Sequence, residues 1–134
     1  DGNVGKTYIR FTSKKLDNLI PKLGEGWVSS NRIVLFEFTN YYKKEVLRLY
    51  IGPGDDGTRR KLHDIAMMDK KLFNKSERKL GSKWLAIYQK EFLKPSDYDE
   101  SDNLDLEQII SKKFESFIGD DLPKIEKHIT ENWK

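Results

Sequence analysis

The chain has 134 residues, of which 37% are hydrophobic and 35% charged, with no cysteine and a formal net charge of +3. That is enough chain for one hydrophobic core and not two, and the missing cysteines exclude disulfides, thiolate zinc sites and a cysteine nucleophile. A complement of 7 Phe, 6 Tyr and 3 Trp argues for a packed domain over a disordered one, and no apolar run approaches the ~18 residues of a membrane span.

Thr7 to Ser13 alternates apolar and polar residues and reads as a short strand. Ser13 then caps a brief helix through Leu16, Leu19 and Ile20, which Pro21 stops. Gly24-Glu25-Gly26 marks a turn, and Trp27-Val28 begins the next extended segment. From Arg32 to Thr39 the alternation sets Val34, Phe36 and Phe38 against Ile33, Leu35 and Glu37. In the following strand it sets Leu47, Leu49 and Ile51 against Val46, Arg48 and Tyr50. Asn40 to Lys44 is read as the hairpin connection between them. Mixed faces of this kind suit an antiparallel sheet half covered by helices.

Beyond Gly57 the period changes to helical, with stripes at Leu62, Ile65 and Ala66, at Leu80, Trp84, Ile87 and Tyr88, and at Leu106, Ile109, Ile110, Phe114 and Phe117. Gly119 is expected to end that third helix, Asp121 to cap the next and Pro123 to sit in its first turn, with Ile125, Ile129 and Trp133 on its core face. The acid-rich segment from Lys94 to Asn103 reads as a loop. The expected fold is α+β and a single domain. Residues 7–52 supply a small antiparallel sheet of about three strands, and residues 58–134 most of its about four to five helices. A chain that opens on Asp1 is read as a C-terminal piece of a longer protein, and its composition as that of a cytoplasmic one.

Charge is segregated. Residues 58–90 hold ten Lys/Arg against three Asp/Glu, and residues 91–134 hold six against twelve. Such asymmetry points either to an anion-facing surface or to faces that attract each other within the domain or across a dimer. The strand-to-helix corner Gly52-Pro53-Gly54-Asp55-Asp56-Gly57-Thr58 has neither the Walker nor the dinucleotide glycine spacing, and its two aspartates stand where a phosphate must sit. Asp56 or Thr58 is therefore read as a helix cap. Arg59, Arg60 and Lys61 open the basic helix against its macrodipole, which is consistent with an anion-binding role. Lys75, Lys79 and Lys83 follow at four-residue spacing, with Arg78 among them. These seven residues are the candidate nucleic-acid contacts; the bland alternative is a solvated surface balanced by the acidic segment. Tyr41-Tyr42 before Lys43-Lys44 reads as a turn more than as a base-stacking platform. His63 and His128 lack any nearby partner for a metal site or a catalytic triad, so no catalytic residue, metal ligand or cofactor is assigned.

The runs Leu35-Phe36-Glu37-Phe38, Leu47 to Gly54 and Arg60-Lys61-Leu62 resemble the C-terminal portion of a bacterial family of the PD-(D/E)xK nuclease superfamily, best over residues 27–90. The resemblance implies a metal-dependent phosphodiesterase core in the whole protein. An Asp at one strand end and a (D/E)-x-K on the next would hold Mg²⁺ and stabilise charge on the attacked phosphate. Here the tripeptide occurs only as Asp69-Lys70-Lys71 and Glu77-Arg78-Lys79, in segments read as helical and without a preceding strand-end Asp. The expected role is thus a non-catalytic accessory domain that contributes nucleic-acid binding, with any Mg²⁺ site upstream or lost. The alternative is a protein-interaction or dimerisation module, partnered by a second copy or by the rest of its parent, without a membrane role.

Overall fold

The structure, a computed structural model, describes residues 7–24, 31–100 and 103–133. Four strands, β1 (Thr7–Phe11), β2 (Val34–Tyr41), β3 (Lys44–Ile51) and β4 (Leu85–Leu93), form one antiparallel sheet in chain order. Five helices accompany them: α1 (Lys14–Leu19), α2 (Asp56–Met67), α3 (Pro95–Glu100), α4 (Asn103–Ser116) and α5 (Leu122–Asn132). Among the described residues no helix is long and apolar enough to cross a membrane. Trp27 and Val28, expected to start a strand, and the Glu25-Gly26 part of the expected turn lie outside the described residues.

The alternation read in β2 and β3 is realised in their register, which sets Val34 opposite Ile51, Phe36 opposite Leu49 and Phe38 opposite Leu47. Leu47, Leu49 and Ile51 are fully buried, and the face they share with Val34 and Phe36 packs against Leu16 and Ile20, Leu62, Ile65 and Ala66, and Ile125 and Ile129. Each such side chain contributes about 1.5–3 kcal/mol by leaving water. α1 starts where expected, with Ser13 Oγ accepting from the Leu16 N–H at 3.0 Å. The hairpin is tighter than expected: Tyr41 pairs with Lys44, so the turn is Tyr42 and Lys43 alone, and Lys43 takes φ 54°.

Residues 85–93 form a strand, not the expected helix, so the sheet extends beyond residues 7–52. The helical spacing of Leu80, Trp84, Ile87 and Tyr88 misleads because β4 carries register shifts opposite Glu45/Val46 and Leu49/Tyr50. Tyr50 pairs with Ala86 and Leu49 with Tyr88, so Ile87 is an extra residue, and both Ile87 and Tyr88 enter the core. A bulge of this kind erases the two-residue period by which a strand is recognised.

The acid-rich segment is also more ordered than expected. α3 spans its Pro95–Glu100 part, and the Asp97 carboxylate accepts from the Lys94 N–H at 3.0 Å. Gly119 does not end a helix. A π turn over Phe117–Asp121 carries α4 into α5, Pro123 sits in the first turn of α5, and Asp121 keeps helical backbone angles with no side-chain cap bond. The Asp121 carboxylate instead accepts from Tyr88 Oη at 2.6 Å and from Lys90 Nζ at 3.2 Å, and Lys90 also reaches Ser116 Oγ at 3.2 Å. Burial, with Asp121 beside it, pushes the Tyr88 phenol far above its usual range, so the hydroxyl stays protonated and donates to Asp121.

Glu45 on β3 is 8% exposed and its Oε2 has no hydrogen-bond partner, so burial raises its carboxyl above the usual range. A folded-state value above the unfolded one contributes stability below the ordinary glutamate range and loses it as pH rises through the raised value. Glu45→Gln is therefore expected to unfold at higher urea than the parent at neutral pH, with the gain shrinking as the parent's Glu45 becomes protonated. Tyr88→Phe removes the donor to Asp121 and is expected to lower stability by about 1–2 kcal/mol in the same urea titrations.

Candidate nucleic-acid interface

The glycine-rich corner is structural. The cap of α2 is Asp55, not Asp56 or Thr58: its carboxylate accepts from Thr58 N at 2.9 Å and Thr58 Oγ1 at 2.8 Å. The Thr58 amide, then its hydroxyl, holds the Asp55 carboxyl below the usual range, so the start of α2 is already occupied by an anion of the chain itself. Gly54 bridges Gly24, and a Cβ on Gly54 would stand 2.5 Å from Leu23 O and 2.8 Å from Gly24 Cα. Backbone approach, not a phosphate, explains the glycine there.

Arg59 differs most from expectation. It is 2% exposed and donates from Nε to Gly52 O at 2.7 Å, from Nη1 to Gly81 O at 2.7 Å and from Nη2 to Lys83 O at 2.6 Å. It is not a surface contact. A cation at a helix N-terminus is unfavourable by itself, but here three carbonyl dipoles face the guanidinium.

Those bonds fasten the far end of residues 69–84, which are irregular and not the expected second helix. His63 Nε2 lies 2.8 Å from Ser76 O and 3.0 Å from Arg78 O. Two carbonyl acceptors require the proton on that nitrogen. Asn74 copies a strand pairing, donating to Gln89 O at 2.9 Å and accepting from Gln89 N at 2.8 Å. The Asp69 carboxylate takes the Leu72 N–H at 3.0 Å, and Phe73 and Ser76 are fully buried. An irregular backbone is thus pinned at both ends and in the middle.

The other expected contacts separate in this frame. Arg60 on α2 and Arg78, Lys79 and Lys83 on the pinned segment are exposed, as are Lys70 and Lys71. Lys70 pairs with Glu77 at 3.5 Å. Lys75 is half-buried, and Lys61 lies half-buried with its Nζ 4.4 Å from the centre of the Trp133 ring. No common helical face joins Lys75, Lys79 and Lys83, because no helix is there. Tyr41 and Tyr42 form no platform either: the Tyr41 hydroxyl accepts from Arg48 Nη1 at 3.0 Å on β3, while Tyr42 projects from the turn.

Sequence reasoning placed Trp84 in a helical core stripe. It is 56% exposed, directly after Lys83, with its ring at 89° to Tyr50 and 5.0 Å between centroids. The preceding Gly81-Ser82 was the available signal that a new element begins there. His128 Nε2 lies 2.7 Å from Ile65 O, and among the described residues no His, Cys, Asp and Glu cluster could hold a metal ion. Asp69 and Glu77 both fall in the irregular segment, off any strand.

Comparison with protein-family models, with curated proteins and with solved structures gives no match.

Arg59→Met is expected to destabilise the domain by about 2 kcal/mol or more, since the buried Gly52 carbonyl and the Gly81 and Lys83 carbonyls lose a charged donor. Arg60→Glu or Lys79→Glu is expected to stay within about 0.5 kcal/mol of the parent in the same urea titrations, as surface substitutions do.

Proposed function

We propose that the chain is a non-catalytic accessory domain that binds nucleic acid through Arg60 and the exposed cations of residues 70–83. The carrying observation is that residues 70–83 hold six Lys/Arg and one acid, Glu77, on a backbone fastened by Arg59, His63 and Asn74. A pinned segment loses little conformational freedom when it meets a polyanion, and its cations release counterions from phosphates. Arg59 serves by holding the segment. The resemblance to the C-terminal portion of a PD-(D/E)xK nuclease family is in keeping with this reading.

Fluorescence anisotropy with labelled oligonucleotides at low salt tests it. Affinity is expected to fall steeply with added salt. The triple variant Arg78→Glu, Lys79→Glu, Lys83→Glu should bind at least about tenfold more weakly with an unchanged circular dichroism spectrum. Equal affinity of parent and variant would overturn the assignment. Plasmid incubated with the chain and Mg²⁺ is expected to remain intact.

A second reading, self-association, is favoured by one observation. β1 is an edge strand of the described sheet, Ile9 on it is 62% exposed, and a cleft of about 330 Å³ beside it is lined by Ile9, Phe11, Phe38, Phe92, Ile110 and Phe114. Edge strands beside apolar surface add a further strand, here from a second copy. Light scattering over a concentration series decides it: a mass that stays monomeric rejects self-association, and a dimer lost in Ile9→Lys supports it.

A further inference from the structure

The nucleic acid proposed above enters this surface single-stranded, we infer, with an unpaired base stacked on Trp84. The inference rests on the nucleic-acid reading and adds to it the form of the ligand.

Among the described residues of the pinned segment and its junction with β4, Trp84 is the large aromatic side chain left exposed. Tryptophan usually buries most of its surface, so an indole that is 56% exposed is costly unless something covers it. Two features hold this one in place. The Lys83 carbonyl, one peptide away, accepts from Arg59 Nη2 at 2.6 Å, which fixes the backbone. Tyr50, 5% exposed, holds the ring by an edge-to-face contact at 5.0 Å. The indole is therefore restrained before any ligand arrives, and stacking on it costs little ordering entropy.

Charge selects the occupant. Lys83 precedes the ring in the chain, Arg78 and Lys79 lie on the same pinned segment, and all three are exposed. An exposed ring that follows a lysine, on a segment with two further exposed cations, suits a ligand with alternating planar apolar groups and phosphates, which is a single strand. In a duplex the base faces are already stacked on each other, so the same ring would find only backbone and base edges. The cations would still hold a duplex, but the indole would add nothing.

The test uses the full chain with short oligothymidylate and with duplex DNA of equal length, at low salt and neutral pH. The parent is expected to bind the single strand more tightly, and its tryptophan fluorescence should be quenched by oligothymidylate. Trp84→Ala should weaken single-strand binding by roughly 5- to 100-fold and leave duplex binding within about twofold. Trp84→Phe keeps an aromatic contact with Tyr50 and serves if the alanine variant fails to fold. It should retain most of the single-strand affinity and lose most of the quenching. Equal affinity of the parent for both ligands, parallel losses for both ligands in Trp84→Ala, or undiminished quenching in Trp84→Phe overturns this inference alone. Failure to bind either nucleic acid, or binding indifferent to the Arg78, Lys79 and Lys83 charge reversals, overturns the basic-surface reading and this inference with it.

Discussion

The Arg59 guanidinium is the contact on which the surface architecture depends. Its three nitrogens each donate, to Gly52, Gly81 and Lys83, so one side chain joins the corner after β3 to the segment that leads into β4. A buried charge survives only when its donors are satisfied, and carbonyls from two separate stretches supply acceptors here. This fixes the approach of residues 81–84 to the sheet and, through it, the position of Trp84. Lysine could not reproduce the arrangement, because a compact ammonium lacks the planar fork that reaches three carbonyls at once.

A second tie works farther along the same strand. Tyr88 and Lys90 on β4 both reach Asp121 in the π turn, and Lys90 adds Ser116. β4 is therefore secured to α2 and the corner by Arg59 at its start, and to the α4–α5 junction in its middle. The π turn makes sense in this light. Continuing the helix through Gly119 keeps Asp121 under the sheet, where it meets two donors, while a helix end there would spend its carboxylate on a local amide. The tie also joins the basic and acidic stretches of the chain through a few specific pairs, so the overall charge segregation need not be neutralised face to face.

The basic residues thus divide by task. Arg59 is internal, Lys61 lies over Trp133, Lys70 has Glu77 beside it, and Arg60, Arg78, Lys79 and Lys83 remain on the surface. A count of charge along the chain cannot separate these roles, because burial and carbonyl partners are set by segments far apart in sequence. The smaller surface set is the one available to a polyanion, and the pinned backbone beneath it makes that surface rigid despite its irregular form.

What the sequence determined by itself was local. Alternation placed β1 to β3 and their inner face, Ser13 was legible as a cap because its partner is three residues away, and the Leu62, Ile65 and Ala66 stripe marked α2. These features depend on neighbours within a turn or a strand pair. The tertiary structure decided the rest. It made residues 85–93 a strand, because the open side of β3 supplied backbone partners and two bulges disguised the period. It turned Asp121 from a cap into a bridge and Arg59 from a surface cation into a clamp. It also left Trp84 outside, since an aromatic residue joins the core only where the backbone leading to it points inward. Each of these outcomes was set by a contact with residues distant in the chain, which no local spacing records.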